Sequence, residues 1–440
     1  MVKVITYGTY DMLHYGHTRL LERAKALGDY LIVGITSDDY DKSRGKINLQ
    51  QSLMERVEAV KATGIADEII IEEYEGQKID DIRKYDIDIF TVGSDWQGYF
   101  DYLNDYCKVV YLPRTEGISS SEIREKKRSI RLGLVGDASF LNKVWYESKA
   151  VNGINIEALC TRMPNVIEKT AINELKLLTD NYDLMLENVD AVYIRSIPEL
   201  HFEQIKKAID AGKHVLCESP LTLKKEQSDM LVKYSEEKNV ILMEAIKTAY
   251  STAYERLLLL IKAGKIGRVI SVDATCTSLR NKDLKGEWNN IFEWGPTALL
   301  PIFQILGTDN QSTKIVTHFR KDDQDSFTKI DFMFNSAVAS IKIGDGFKSE
   351  GDLIISGSEG YIYVPAPWWK TDYFEIRYEN QSDNKRYFYQ LDGEGIRYEL
   401  VAFARAIDCG KFVTKISVDV SRKITDVMEK FVNREDLIEI

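Results

Sequence analysis

Over the first 125 residues, short apolar runs alternate with stretches of helical periodicity. The runs KVITYG, DYLIVGITS, DEIIIEE, DIFTVGS and KVVYLPR predict strands, and 17–27, 49–63 and 77–84 predict the helices between them. Near-continuous apolar strands separated by helices predict a parallel sheet covered on both faces. A charged segment, SEIREKKRS (121–129), then gives way to a fresh apolar strand, IRLGLVG, which marks a domain boundary. The alternation resumes through about 245, with GINIEALC, VDAVYIRS, KHVLCES and NVILMEA as strands. After 250 the apolar runs RVISVDATCTSL, SFTKIDFMFN, AVASIKIG, DLIISGS and GYIYVPA crowd together with turn residues between them. That spacing predicts an antiparallel sheet. The expected division is 1–128, 129–247 and 248–440: two Rossmann-like α/β domains, then an α+β domain with a mostly antiparallel sheet.

Length and composition narrow the picture. A chain of 440 residues is long enough for about three domains. Hydrophobic content of 44% and charged content of 29% suit ordinary globular cores. A net charge of −11 argues against nucleic acid or an anionic membrane surface as partner, while leaving room for a local basic pocket. The five cysteines are scattered with no CxxC pair, so a disulfide framework or structural zinc is not expected and a reduced, cytoplasmic setting is. Apolar runs such as ERLLLLI are too short to span a bilayer, and the N-terminus shows no basic-then-apolar leader.

Two of the five histidines fall in GTYDMLHYGH (8–17), directly after the first strand. A strand ending at Tyr7–Gly8, a turn and a helix beginning near His17 present unpaired N–H groups and a partial positive charge, both suited to phosphate. Gly16 lets backbone come close, and His14 and His17 are spaced to donate hydrogen bonds toward one point. Such donors strengthen as charge builds in a phosphoryl or nucleotidyl transition state. A zinc reading lacks a third ligand of the right kind nearby, and no metal site is expected.

This arrangement resembles the HxGH nucleotidyltransferase superfamily. Within it, RTEGISSSEIR (114–124) and GSDWQGYFDYL (93–103) are similar to signature segments of the glycerol-3-phosphate cytidylyltransferases, over about 1–127. The resemblance implies catalytic roles for His14, His17, Lys46 and Arg114, with Arg44 a further candidate for the phosphates. It implies a CTP site formed by Gly8, Thr9, Tyr10, Asp11, Gly16, Asp95, Arg114, Thr115, Ser119 and Ser120, with Asp11 ordering the turn. It places Arg56 against a phosphate of acceptor or nucleotide, and Trp96 on the acceptor side. Other readings stand beside these: Arg56 on a solvated helix face, Trp96 in the core, and GISSSEI as a helix cap with Glu122 three residues after Ser119. Mg²⁺ would be held mostly by phosphates and water.

RLGLVGDASF (131–140) opens the second α/β pattern. Gly136 suits the first position of a dinucleotide fingerprint, but Ala138 stands at the second. The segment 190–223, with a P…H turn followed by AGKHVLCESP, resembles the glucose–fructose oxidoreductase and inositol dehydrogenase (Gfo/Idh/MocA) family, and the likeness continues through LIKAGKIGRVISV and GPTALLPIFQILG to cover about 130–440. It implies a dinucleotide site at Gly136, Ala138, Thr161, Arg162, Ser196, Pro198, His201 and Glu218. Two departures remove proton-transfer groups: the family's catalytic lysine is Ser219, and its acid–base helix reads Pro301-Ile302-Phe303-Gln304-Ile305. Arg162 suits a 2′-phosphate, favouring NADP over NAD as the NAD(P) cofactor, or is a solvated loop residue. His214 reads as structural. Lys247 reads either as a pocket group or as a surface lysine.

The expected function is CTP-dependent cytidylyl transfer to a small phosphorylated polyol, glycerol 3-phosphate first, giving a CDP-polyol and pyrophosphate. The fused unit would act on a polyol or sugar precursor with NAD(P), or serve as a binding, regulatory or dimerising module. The resemblance also implies a homodimer or higher homo-oligomer and a cell-surface polysaccharide pathway such as that of teichoic acid.

Overall fold

A computed structural model describes the chain except residues 44–48, 50, 75, 114–128, 152, 280–287, 289, 322, 346, 390 and 411–413, and except the side chains of Asp39, Lys42, Ser43 and Asp95. The chain divides into two compact units, Met1–Ser129 and Ile130–Ile440.

All five apolar runs of the first unit form strands: β1 (Lys3–Gly8), β2 (Tyr30–Thr36), β3 (Glu68–Glu72), β4 (Ile89–Gly93) and β5 (Lys108–Leu112). They build one parallel sheet in the order β3-β2-β1-β4-β5. Alternate side chains of the central strand enter different cores. Val4 packs with Leu21, Leu31 and Val33 on one face, and Ile5 and Tyr7 pack with Ile32 and Phe90 on the other. Each such burial is worth about 1.5–3 kcal/mol, so the two cores together fix the sheet's register. The helices Tyr15–Lys25, Leu53–Ala62 and Gln77–Tyr85 match the expected stretches. Leu53–Ala62 starts with a full capping box, in which the Ser52 hydroxyl accepts from the Glu55 N–H and the Glu55 carboxylate accepts from the Ser52 N–H.

The second unit contains a six-stranded parallel sheet in the order β11-β10-β9-β6-β7-β8, where β6 is Ile130–Val135, β7 Ile154–Cys160, β8 Leu177–Thr179, β9 Ala191–Ile194, β10 His214–Glu218 and β11 Leu242–Ala245. Strand order reverses between β9 and β6, which places a crevice at their carboxyl ends. A nine-stranded sheet follows, in the order β19-β18-β17-β16-β12-β15-β14-β13-β20. Its strands are β12 (Val269–Ser278), β13 (Ser312–Phe319), β14 (Asp325–Met333), β15 (Val338–Asp345), β16 (Leu353–Gly357), β17 (Tyr361–Val364), β18 (Tyr373–Arg377), β19 (Lys385–Phe388) and β20 (Leu437–Glu439).

This sheet is mixed, not wholly antiparallel. β12 runs parallel to β15, with Ser271 opposite Val338, and β13 runs parallel to β20. The helix Asn290–Leu306 separates β12 from the β13–β15 meander, and a helical crossover is what allows a parallel return. That helix keeps Pro296 and Pro301 in its interior and buries Pro301, Ile302 and Phe303 against the sheet.

Candidate active sites

In the first unit, β1 ends at Gly8 and the chain turns through Tyr10 and Met12, both left-handed at φ 53° and 51°. Non-glycine residues seldom hold that conformation, so the surroundings must fix it. They do so from three sides. Asp11 Oδ1 accepts from the Gln51 N–H at 3.0 Å, and the Gln51 side-chain oxygen accepts from the Met12 N–H at 2.6 Å. The Thr9 hydroxyl donates to Asp41 at 3.0 Å. The Arg56 guanidinium donates to the carbonyl oxygens of Thr9 at 2.7 Å and Thr36 at 2.8 Å, and pairs with Asp38. Tyr10 is buried, and its ring meets the edge of His17 with centroids 5.5 Å apart. At Gly8 a Cβ would lie 2.9 Å from the Tyr10 ring.

His14 is the N-cap of the helix Tyr15–Lys25, and its Nδ1 accepts from the Gly16 N–H at 3.1 Å. With Nδ1 accepting, the proton of the neutral ring sits on Nε2, which is then a donor. The His17 ring stacks on it, centroids 3.9 Å apart and 19° from parallel. Two imidazoles thus stand together at a helix head, with the helix dipole behind them.

Arg56 is wholly buried, which removes the solvated-face reading. In this structure its guanidinium serves the carbonyl oxygens of Thr9 and Thr36 and the Asp38 carboxylate. Trp96, in the short 3₁₀ turn Ser94–Trp96, is 36% exposed and packs edge-on to Tyr99, so it stands at the surface and not in the core. Arg44, Lys46, Arg114, Thr115, Ser119, Ser120 and Glu122, like the Asp95 side chain, lie outside the described residues. One feature escaped the sequence reading. Lys78 is buried against Glu72, its ammonium 4.7 Å from the centre of the Tyr7 ring, and the Tyr7 hydroxyl donates to Asp81 at 2.9 Å. Burial and the Asp81 charge hold the Tyr7 phenol well above its usual range.

In the second unit, the crevice at the carboxyl ends of β6, β7 and β9 is a cleft of about 520 Å³ lined by Gly136, Asp137, Thr161, Arg162, Ser196 and Gln204 among others. Gly136 is at φ 140°, and a Cβ there would lie 2.2 Å from the Arg195 carbonyl oxygen, so no other residue fits this close crossing of two strand ends. Asp137 accepts from the Arg162 guanidinium at 2.7 and 2.9 Å, from the Arg162 N–H at 2.7 Å and from the Thr161 hydroxyl at 2.9 Å. Burial alone would raise this carboxyl; those hydrogen bonds outweigh it and hold it below the usual range. Arg162 is therefore an exposed cation at the cleft, paired with Asp137 and not loose in a loop.

The remaining expected dinucleotide residues separate from these. Pro198 opens the helix Pro198–Asp210, and the Ala138 carbonyl accepts from the Leu141 N–H. His201 corrects its expectation. It is fully buried, its ring nitrogens facing the carbonyl oxygens of Pro220 at 2.8 Å and Ser196 at 2.9 Å, where it ties the helix to two loops instead of facing the cleft. Burial pushes its pKa down to about 4 against the pull of those carbonyls. His214 is structural as read: its Nδ1 accepts from the Ile241 N–H at 3.0 Å.

Glu218 lines a neighbouring cavity of about 190 Å³ with Ser219, Lys247, Arg195 and three tryptophans, Trp288, Trp294 and Trp369. The Ser219 hydroxyl donates to Glu244 and is buried. Lys247 faces this cavity, which settles the choice in favour of a pocket group; it pairs with Glu394 at 3.3 Å. Behind the wall, the buried Tyr193 hydroxyl donates to Glu218 and lies 3.4 Å from Glu399. Burial first, and for Glu399 the nearby Glu218 charge, raise both carboxyls.

Residues 5–126 match the family profile described as cytidylyltransferase-like. A glycerol-3-phosphate cytidylyltransferase of Bacillus spizizenii is 49% identical over 130 residues, which cover 30% of this chain and all of that protein. The chain belongs to the glycerol-3-phosphate cytidylyltransferase family. Its enzyme class is that of a nucleotidyltransferase, carried by the first unit. Residues 130–246 match a profile described as an oxidoreductase family with an NAD-binding Rossmann fold. A dTDP-3,4-didehydro-2,6-dideoxy-alpha-D-glucose 3-reductase of Streptomyces violaceoruber is 31% identical over 156 residues, 35% of this chain and 46% of that one. The solved structure of KijD10, a 3-ketoreductase from Actinomadura kijaniata in complex with NADP and TDP-benzene, superposes with a TM-score of 0.63 at 20% identity, over 71% of this chain and 99% of that chain. The likeness to KijD10 is one of fold. Together these matches describe a cytidylyltransferase fused to an oxidoreductase-like unit. Among the described residues, no helix is long and apolar enough to cross a membrane.

Proposed function

We propose that the chain transfers CMP from CTP to the phosphate of a small polyol, glycerol 3-phosphate first, releasing pyrophosphate. The observation that carries this reading is the stacked His14–His17 pair at the head of a helix, with Nδ1 of His14 accepting from the Gly16 N–H. An acceptor phosphate oxygen attacks the α-phosphorus of CTP in line; the new O–P bond forms as the bond to pyrophosphate breaks. Such chemistry is carried by positioning and charge stabilisation. His14 and His17 donate to the oxygens on which charge grows, the helix N-terminus adds its dipole, and Asp11, Thr9 and Arg56 hold the turn. Lys46, Arg114, Thr115, Ser119, Ser120 and Asp95 complete the nucleotide site and Trp96 the acceptor side, with Mg²⁺ held by the triphosphate and water. Incubation with CTP and a panel of phosphorylated polyols, measuring pyrophosphate, tests it. Release with none of them overturns it.

The second unit is proposed to bind NAD(P) in the cleft at Gly136, Thr161, Arg162 and Ser196. The cleft of about 520 Å³ at the strand ends supports this reading, and the Arg162 cation suits the 2′-phosphate of NADP. Bound there, the nicotinamide supplies hydride transfer to or from a polyol or sugar carbon. A second reading, a binding or dimerising module without redox chemistry, is favoured by Ser219, whose hydroxyl is sealed against Glu244 where the resembled family has its lysine. Titration with NADPH and NADH, followed by turnover with polyol phosphates, separates the two. A cytoplasmic homodimer supplying CDP-polyol to cell-surface polymers such as teichoic acids is the setting proposed for both.

A further inference from the structure

Three lysines converge on one carboxylate in the cavity of the second unit. Lys370 pairs with Glu394, Lys247 lies 3.3 Å from it and Lys143 3.4 Å. They come from the helix Phe140–Ser148, the segment after β11 and the turn Trp368–Lys370, so only the folded unit assembles them. Three lysines share the one carboxylate of Glu394, and with Arg195, Glu218 and Glu293 the charged side chains lining the cavity leave an excess of one positive charge. Among the other charges facing it, Arg195 lies 3.9 Å from Glu293, and Glu218 accepts from the Tyr193 hydroxyl.

We propose that this cavity binds the phosphate monoester of a small polyol, its phosphate seated among Lys143, Lys247 and Lys370 where the Glu394 carboxylate now sits. A phosphate monoester carries a charge of about −1.5 to −2 near neutral pH, more than the single carboxylate the three lysines now share. Glu394 already demonstrates that the seat accepts oxygens: burial alone would raise its carboxyl, yet Lys370, Lys247 and Lys143 hold it down to about 2. Trp294 and Trp369, edge to face at 5.0 Å, supply apolar surface for the carbon chain, while the Arg195 guanidinium covers the Trp288 ring at 3.6 Å. A volume of about 190 Å³ suits a compact ligand, well below the range of drug-sized sites. The proposal rests on the oxidoreductase reading for the choice of a polyol skeleton. It adds a link between the units: the second handles the same chemical class that the first activates.

Calorimetric titration of the full chain with glycerol 3-phosphate, without CTP, tests it. Two equivalents are expected to bind, one per unit. In the Lys143→Gln/Lys370→Gln double variant one equivalent is lost or weakens about 100-fold, as for two charge-assisted hydrogen bonds. Glu394→Gln, which removes the competing carboxylate, binds that equivalent more tightly, and inorganic phosphate follows the same order while glycerol does not bind. Unchanged stoichiometry and affinity in the double variant, weaker binding in Glu394→Gln, or equal binding of glycerol overturns the proposal. NADPH and NADH titrations on the same samples read the oxidoreductase assignment separately. If neither dinucleotide binds while the lysine-dependent equivalent persists, that assignment falls and the phosphate seat stands. If a dinucleotide binds and the double variant keeps both equivalents, the phosphate seat falls.

Discussion

The rings of His14 and His17 lie face to face, 3.9 Å between centroids, at the first turn of one helix. Loss of one preorganised donor to a developing charge costs on the order of 10²–10³ in turnover. His17→Ala is therefore expected to lower kcat for pyrophosphate release by that factor, with His14→Ala at least as severe because it also removes the cap that accepts from Gly16. A near-normal rate in either variant removes the pair from the chemistry.

Arg56 offers a test of a different kind. Its buried guanidinium holds the carbonyl groups of Thr9 and Thr36 and the Asp38 carboxylate. Arg56→Met leaves the Thr9 and Thr36 carbonyl oxygens without their donor and the buried Asp41 carboxylate, 3.9 Å away, without its countercharge, which costs about 3–5 kcal/mol. The expected outcome is a lower unfolding midpoint of the unliganded first unit, measured by calorimetry, together with loss of activity. A variant with normal unliganded stability and a raised KM for the acceptor alone would instead make Arg56 a direct phosphate ligand.

How much of this was legible follows from where each signal lives. The strands of the parallel sheets could be read because burial on both faces leaves continuous apolar runs, as in YLIVGIT of β2. β8 could not: three residues at a sheet edge carry no periodicity. β13 and β18–β20 were also missed, and the parallel pairing of β12 with β15 is a fact of tertiary order that strand spacing does not encode. The histidine pair was legible because its partners are three residues apart. Lys143 and Glu394 are 251 positions apart, and Lys78 meets Tyr7 across the first sheet, so neither grouping leaves a local trace. His201 shows the reverse error: a residue placed by resemblance in the cofactor site serves as a buried tie.

That burial predicts a pH dependence. The folded pKa of His201 is pushed to about 4 from a usual 6.5. Between those values the unfolded chain binds a proton that the folded chain does not, so this residue's contribution to stability is present above pH 6.5 and is lost as pH falls toward 4. The shift corresponds to about 3 kcal/mol. His201→Gln keeps a polar side chain without that titration. Urea unfolding of both proteins between these limits should show the difference in stability shrinking as pH falls. A difference independent of pH would mean that His201 does not titrate in this range.

The pairing of Arg162 with Asp137 bears on cofactor choice. Arg162 is 72% exposed at its side chain while Asp137 is nearly enclosed, so the cation can turn to a ligand whereas the carboxylate stays in the cleft. A 2′-phosphate gains from Arg162, a ribose hydroxyl gains little, and Asp137 repels the added negative charge. Arg162→Ala should thus weaken NADPH by about 10–100-fold, the value of a charge-assisted hydrogen bond, while changing NADH much less. Asp137→Asn should act in the opposite sense, narrowing or reversing any preference for NADH. Fluorescence titration of both dinucleotides against the three proteins checks this. Equal losses for NADPH and NADH in Arg162→Ala would place the arginine on the shared pyrophosphate, and no loss for either would place the adenosine end elsewhere in the cleft.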